Sequence, residues 1–98
     1  MRLSKAERKA IQGIIRRKDR GAKIYLYGSR SNDRLRGGDI DLLILSERLS
    51  LLDKVDILDN LKDRLGEQRI DVLIKKPSAR RSDPFVARIL KSAVLVKS

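Results

Sequence analysis

Three short apolar segments, separated by stretches with helical periodicity, constrain the fold of this 98-residue chain most strongly. They are KIYLY at residues 23–27, DIDLLIL at 39–45 and QRIDVLI at 68–74, and a shorter apolar segment follows at 93–96. Branched aliphatic and aromatic residues in runs of this length favour β-strands. Strands that alternate with helices predict an α/β (α+β) fold, a small mixed sheet covered by helices. We expect residues 1–98 to form a single domain.

Helix boundaries are marked by capping residues. The predicted starts are Ser4 with Glu7, Ser50 with Asp53, and Asp83 followed by Pro84. The first two pairs are typical of capping boxes, and the third combines an N-cap with proline at the first helical position. Gly21 and Gly66 are predicted to stop the first two helices. The polar residues 29–36 are expected to form one or two helical turns.

The apolar spacing predicts which sides of the helices are buried. We expect buried faces made of Leu51, Val55, Leu58, Leu61 and Leu65 in one helix and of Phe85, Val86, Ile89 and Leu90 in another. The polar and basic residues 77–82 are predicted to be a mobile loop. Tyr25 and Tyr27 lie on one face of their strand and are expected to pack.

Composition excludes several kinds of chemistry. The chain has no Cys and no His, which excludes a disulfide framework, a thiolate or imidazole metal site and a Ser-His-Asp triad. Any metal must therefore be a hard ion held by carboxylates. The net charge is +11, yet residues 37–75 carry a net −3. No signal peptide or membrane-spanning run is visible, so we expect a cytoplasmic protein that does not enter a membrane.

The carboxylates of the acidic middle region fall in the strands. Asp39 and Asp41 are two residues apart, so they project from one face of their strand, while Ile40, Leu42 and Ile44 point to the other. Asp71 sits in the third strand among apolar neighbours, and the three carboxylates converge if that strand lies beside the second. Three Asp without His or Cys suit Mg²⁺, and two such ions can clamp the oxygens of a phosphoryl transfer.

Gly28 and Ser29 follow the first strand. Glycine at a strand end lets the backbone approach a phosphate closely, and a helix start after it would direct free N–H groups to the same place. The Ser29 hydroxyl can donate a hydrogen bond to a phosphate, and Arg30 can add positive charge. We therefore predict that Gly28, Ser29 and Arg30 bind a phosphate group of the substrate, with Asp39, Asp41 and Asp71 as catalytic residues and metal ligands.

The segments GSRSNDRLRGGDID and RIDVLI resemble the polymerase-β-type nucleotidyltransferase superfamily, and within it the minimal nucleotidyltransferases. The resemblance covers residues 24–74. It implies transfer of a nucleoside monophosphate, AMP from ATP, to a hydroxyl with release of pyrophosphate and with two Mg²⁺ ions. Minimal members are often antitoxins whose acceptor is a tyrosine of a helical HEPN-type partner protein. The nucleobase and acceptor sites are then expected to come partly from that partner or from a second copy of the chain.

Two other functions fit the sequence. The first is a non-catalytic module that binds a partner or senses a nucleotide, with the carboxylates retained for that purpose. The second is a basic nucleic-acid-binding protein that uses the charge of +11. Lys75, Lys76, Arg80 and Arg81 could bind a nucleotide tail or an acidic partner.

Overall fold

A computed structural model describes residues 3–28, 39–66 and 68–97. The helices are α1 (Lys5–Lys18), α2 (Leu51–Leu65), α3 (Ala79–Ser82) and α4 (Pro84–Ser92), and the strands are β1 (Lys23–Tyr27), β2 (Ile40–Leu45), β3 (Ile70–Lys75) and β4 (Val94–Leu95). The strand order is β3-β2-β1-β4. β1 is antiparallel to β2 and to β4, whereas β2 and β3 are parallel. The predicted mixed sheet is confirmed, and the third strand lies beside the second, which is the condition for the carboxylates to approach one another.

Each face of the sheet is covered by helices because β2 is apolar on both sides. Ile40, Leu42 and Ile44 face the larger core, which α1 and α2 close with buried residues such as Ile11 and Ile57. The opposite face carries Leu43 and Leu45, packed against a second core made by Ala79, Val86 and Ile89 of α3 and α4. Tyr25 and Tyr27 pack at this second core, as expected from their shared strand face. The two carboxylates of the DID segment therefore lie on the α4 side of the sheet.

The predicted helix starts are confirmed. Ser4 with Glu7 and Ser50 with Asp53 both form complete capping boxes, and the Asp83 carboxylate accepts hydrogen bonds from the first turn of α4. Gly66 ends α2 with a positive φ of 79°.

The predicted stop of α1 at Gly21 is wrong, because the helix ends at Lys18 with Asp19 as its C-cap. The buried Asp19 carboxylate accepts hydrogen bonds from the Gly21 N–H and from the Ser46 hydroxyl. This side chain can compete for backbone N–H groups that a longer helix would use, so the turn begins earlier.

Two predicted buried faces need correction. Leu51 and Val55 are 75% and 60% exposed, and the buried residues of α2 are Ile57 and Leu61. Since each helical residue turns about 100°, Val55 lies about 120° around the axis from Leu61 and faces away from the sheet. Phe85 is likewise 56% exposed, whereas its neighbour Val86 is buried.

The predicted loop over residues 77–82 is also wrong, since Ala79–Ser82 is a short helix. Its N–H groups are satisfied locally, with Ala79 bonded to the Lys76 carbonyl and Ser82 to that of Ser78. The buried Ala79 side chain anchors this turn on the second core. Across the three described ranges, none of the helices has the length and apolar character needed to cross a membrane.

Candidate active site

The end of β1 and the beginnings of β2 and β3 meet at one edge of the sheet. Tyr27 is the register partner of Asp41 in β2, and Asp41 is in turn the partner of Asp71 in β3. Directly opposed residues on neighbouring strands share a sheet face and lie about 4.8 Å apart across the ladder. The structure therefore places a tyrosine and two carboxylates side by side, with Asp41 in the middle.

Gly28 allows the chain to pass Asp41 at very close range. Its φ is +75°, in the left-handed region that favours glycine, and a Cβ built there would collide with Oδ2 of Asp41. Two separate constraints thus require glycine at this position. The backbone that leads from β1 toward residues 29–38 consequently runs directly beside the central carboxylate.

Asp41 is electrostatically unfavourable as an anion in this setting. Partial burial raises the pKa of its carboxyl, and the negative charges of Asp71 and Asp39 and a hydrogen bond with Asp71 raise it further. The positive charge of Arg69 lowers this pKa. Burial and the charges of Asp41 and Asp71 also raise the pKa of the Tyr27 phenol, so this hydroxyl stays protonated at neutral pH. The site therefore concentrates negative charge that a bound cation would relieve.

Asp39 lies at the start of β2 and is turned toward a cation. Its Oδ2 is 3.9 Å from Nε of Arg69, and the two side chains are 43% and 77% exposed. The backbone joins the same two strands here, because the Ile40 N–H donates to the Arg69 carbonyl at 2.9 Å. An ion pair this long and exposed holds Asp39 only weakly.

The donor set matches a hard divalent cation, because all the candidate ligands are carboxylates and Asp41 is destabilised by its neighbours. Within the part of the chain that the structure describes, however, no three acidic side chains are gathered closely enough to hold a metal ion. Asp41 and Asp71 adjoin in register, whereas Asp39 faces Arg69.

The structure places two further residues beside the predicted carboxylates, and two of the predicted site residues lie outside the part that it describes. Ser29 and Arg30 lie outside the described residues, as do the helical turns expected over 29–36. Tyr27 was expected only to pack, and Arg69 was not singled out. Arg69 lies two positions before Asp71, just as Asp39 lies two positions before Asp41. This matching spacing is the signal in the sequence that could have identified Arg69.

The charge repulsion at Asp41 predicts a pH-dependent stability. Because folding raises the pKa of this carboxyl, the folded chain holds the proton more tightly than the unfolded chain does. Its contribution is fully present below the usual aspartate pKa of about 3.9 and is lost as pH rises through the higher value in the folded state. Without divalent cations, the wild type should therefore lose stability relative to Asp41→Asn as pH rises from about 4 to neutrality.

Urea unfolding of both proteins in a metal chelator, at several pH values, measures this difference. A difference in the free energy of unfolding that stays constant with pH would contradict the prediction.

Comparison with known proteins places this geometry in a family. The family model described as polymerase beta nucleotidyltransferase matches residues 9–98, which is nearly the whole chain. No curated protein matches the chain closely enough to count as a relative. With a mixed sheet flanked by helices and a match over this range, the chain belongs to the polymerase-β-type nucleotidyltransferase superfamily.

Proposed function

We propose that this protein is a Mg²⁺-dependent nucleotidyltransferase that moves AMP from ATP to a hydroxyl group and releases pyrophosphate. The observation that carries the proposal is the desolvated Asp41, placed beside Asp71 in register and against the backbone of Gly28. Membership of the superfamily supports nucleotidyl transfer in general, and the carboxylate-only donor set supports the choice of metal.

In this proposal, Asp39, Asp41 and Asp71 hold the metal ions and form the catalytic set. Bound Mg²⁺ would neutralise the charge on the transferred phosphoryl group and on its leaving group. Asp71 is exposed, so its carboxylate is accessible to an incoming hydroxyl and can accept its proton. Gly28, Ser29 and Arg30 bind the nucleotide phosphates, and the close approach of Gly28 to Asp41 supports the first of these assignments.

For the acceptor, we propose a tyrosine hydroxyl on a small helical HEPN-type partner, with this protein acting as the antitoxin. This part of the proposal is supported by the resemblance of GSRSNDRLRGGDID to the minimal nucleotidyltransferases.

The test is transfer of label from [α-³²P]ATP, with Mg²⁺, to the product of the adjacent gene. We expect the partner to become labelled and Asp71→Asn to reduce labelling by at least about 10²-fold, because metal coordination supplies several kcal/mol of transition-state stabilisation. Asp59→Asn is the matched control, since Asp59 is an exposed carboxylate of α2 on the other side of the sheet. Full labelling by Asp71→Asn would remove Asp71 from the catalytic set.

A second candidate function is a nucleotide-sensing module without turnover. The approach of Asp39 to Arg69 favours it, because a carboxylate that faces a cation is a weaker metal ligand. This function predicts that ATP raises the Tm of the protein and that no acceptor is labelled. It also predicts that Arg69→Gln leaves turnover at zero, whereas the transferase proposal predicts that this variant remains active.

A further inference from the structure

The end of the sheet opposite the carboxylates is strongly basic. β1 begins there and β2 ends there, and the five steps from Ile40 to Leu45 separate the two ends by about 17 Å. Six of the exposed cations at this end are together called the basic end: Arg16, Arg17, Arg20, Lys23, Arg48 and Arg81. They come from α1, the α1–β1 connection, the start of β1, the segment after β2 and α3.

Two shallow depressions occupy the basic end. Cations make up most of the lining of the first, which consists of Gly13, Arg16, Arg17, Lys18, Arg20 and Arg48. The second is lined by the cations Lys23, Arg80 and Arg81 together with Gly21, Leu45, Pro77 and Ser78. The two adjoin, because Arg20 of the first directly precedes Gly21 of the second. Among the described residues that line them, none is acidic. The groove between α1 and α2 differs in this respect, because Asp56 and Asp63 line it together with cations.

Most acidic groups near the basic end are occupied by other partners. The buried Asp19 carboxylate accepts hydrogen bonds from Ser46 and Gly21. Nζ of Lys18 lies 3.6 Å from Oδ1 of Asp53 and 2.6 Å from Oδ2 of Asp56. Oδ2 of Asp83 lies 3.4 Å from Nζ of Lys75.

Glu47, next to Arg48, is an exposed acidic residue at the same end. The basic end thus keeps a large positive excess toward solvent, and its ligand must carry several negative charges.

We propose that the basic end binds nucleic acid through the phosphate backbone, independently of base sequence. Five of its six residues are Arg, whose planar fork matches phosphate oxygens. Among the described residues that line the two depressions, none is aromatic, so they give bases no stacking platform. Protein partners usually meet an apolar or aromatic interface core, and the apolar side chains in the described lining are the buried Leu45 and the exposed Pro77. A polyphosphate backbone therefore fits this surface better than an acidic protein.

The test is fluorescence anisotropy of a labelled 20-base-pair DNA duplex, titrated with the protein at several KCl concentrations. Each phosphate neutralised adds about 0.9 to the slope of log affinity against log salt. We expect Arg16→Gln/Arg17→Gln/Arg20→Gln to lower that slope by about 2–3 and to weaken binding at least about tenfold at low salt. The control, Lys5→Gln/Lys62→Gln/Lys91→Gln, removes the same charge from exposed positions elsewhere and should keep the wild-type slope.

Three results would overturn the proposal. They are equal losses in the two triple variants, an unchanged slope in the arginine variant, and displacement of the duplex by oligoglutamate at matched charge. If this triple substitution unfolds the protein, Arg48→Gln/Arg81→Gln tests the same surface from other elements, and we expect its slope to fall by about 2. Asp41→Asn should bind the duplex like the wild type, which separates this surface from the carboxylate site.

Discussion

The Asp41→Asn variant is expected to lose about 10³-fold in the rate of nucleotidyl transfer while its Tm stays unchanged or rises. The loss follows from removal of the central carboxylate, since metal coordination supplies several kcal/mol of transition-state stabilisation and each 1.36 kcal/mol is tenfold in rate. The gain in stability follows because the substitution removes a partly buried charge and its repulsion with Asp71 and Asp39, the causes that raise the Asp41 pKa in the folded protein. Single-turnover labelling and thermal unfolding, both measured on one preparation, test the two effects together.

Opposite movements of activity and stability distinguish a functional carboxylate from a structural one. If Asp41 had only a structural role, its substitution would destabilise the protein. Activity would then fall only in proportion to the folded fraction. The control is Asp59→Asn, an exposed change that should leave the rate and the Tm at wild-type values. Retention of at least half the wild-type rate by Asp41→Asn would contradict the catalytic assignment.

The Gly28→Ala variant is expected to be destabilised by about 2 kcal/mol or more. A non-glycine residue in the left-handed region costs about 1–2 kcal/mol, and the new Cβ must in addition displace the Asp41 carboxylate. For a domain of this size, the Tm should fall by about 8 °C or more. Transfer activity should fall further than the folded fraction, because the displaced carboxylate belongs to the proposed catalytic set. Thermal unfolding and labelling at a temperature where the variant is folded measure the two effects.

Gly13→Ala is the matched control for this substitution. Gly13 lies inside α1, and nothing is within 4 Å of a Cβ built there, so alanine should stabilise the helix by up to about 1 kcal/mol. The double variant Gly28→Ala/Asp41→Ala separates the two causes of destabilisation at position 28, which are backbone strain and the clash with the Asp41 carboxylate. Its cost should be less than the sum of the single costs, because the clash is absent and only the backbone strain remains. Strict additivity would show that the contact with Asp41 does not contribute.

Local signals in the sequence predicted the architecture well because they act over a few residues. Ser4 and Ser50 each combine with an acid three residues later, and both capping boxes form. The alternation in DIDLLIL separates Ile40, Leu42 and Ile44 from the other face, and the structure buries both faces as expected. Parallel pairing of β2 with β3 then places Asp41 beside Asp71.

Other features depend on tertiary contacts that no local pattern specifies. Val55 fits an apolar helical face, yet α2 packs through Ile57 and Leu61 because of its rotation on the sheet. Ala79 is a single small residue in a polar stretch, and its burial against the second core is a contact that no local pattern specifies. The approach of Asp39 to Arg69 depends on strand register, which brings together residues 30 positions apart in the chain.

Because β2 contributes side chains to both cores and pairs with a strand on each edge, we expect it to open last in local unfolding. The short outer strand β4 has only two residues and can detach at lower cost. We therefore expect the backbone that carries Asp41 to stay in place while the outer parts of the sheet open.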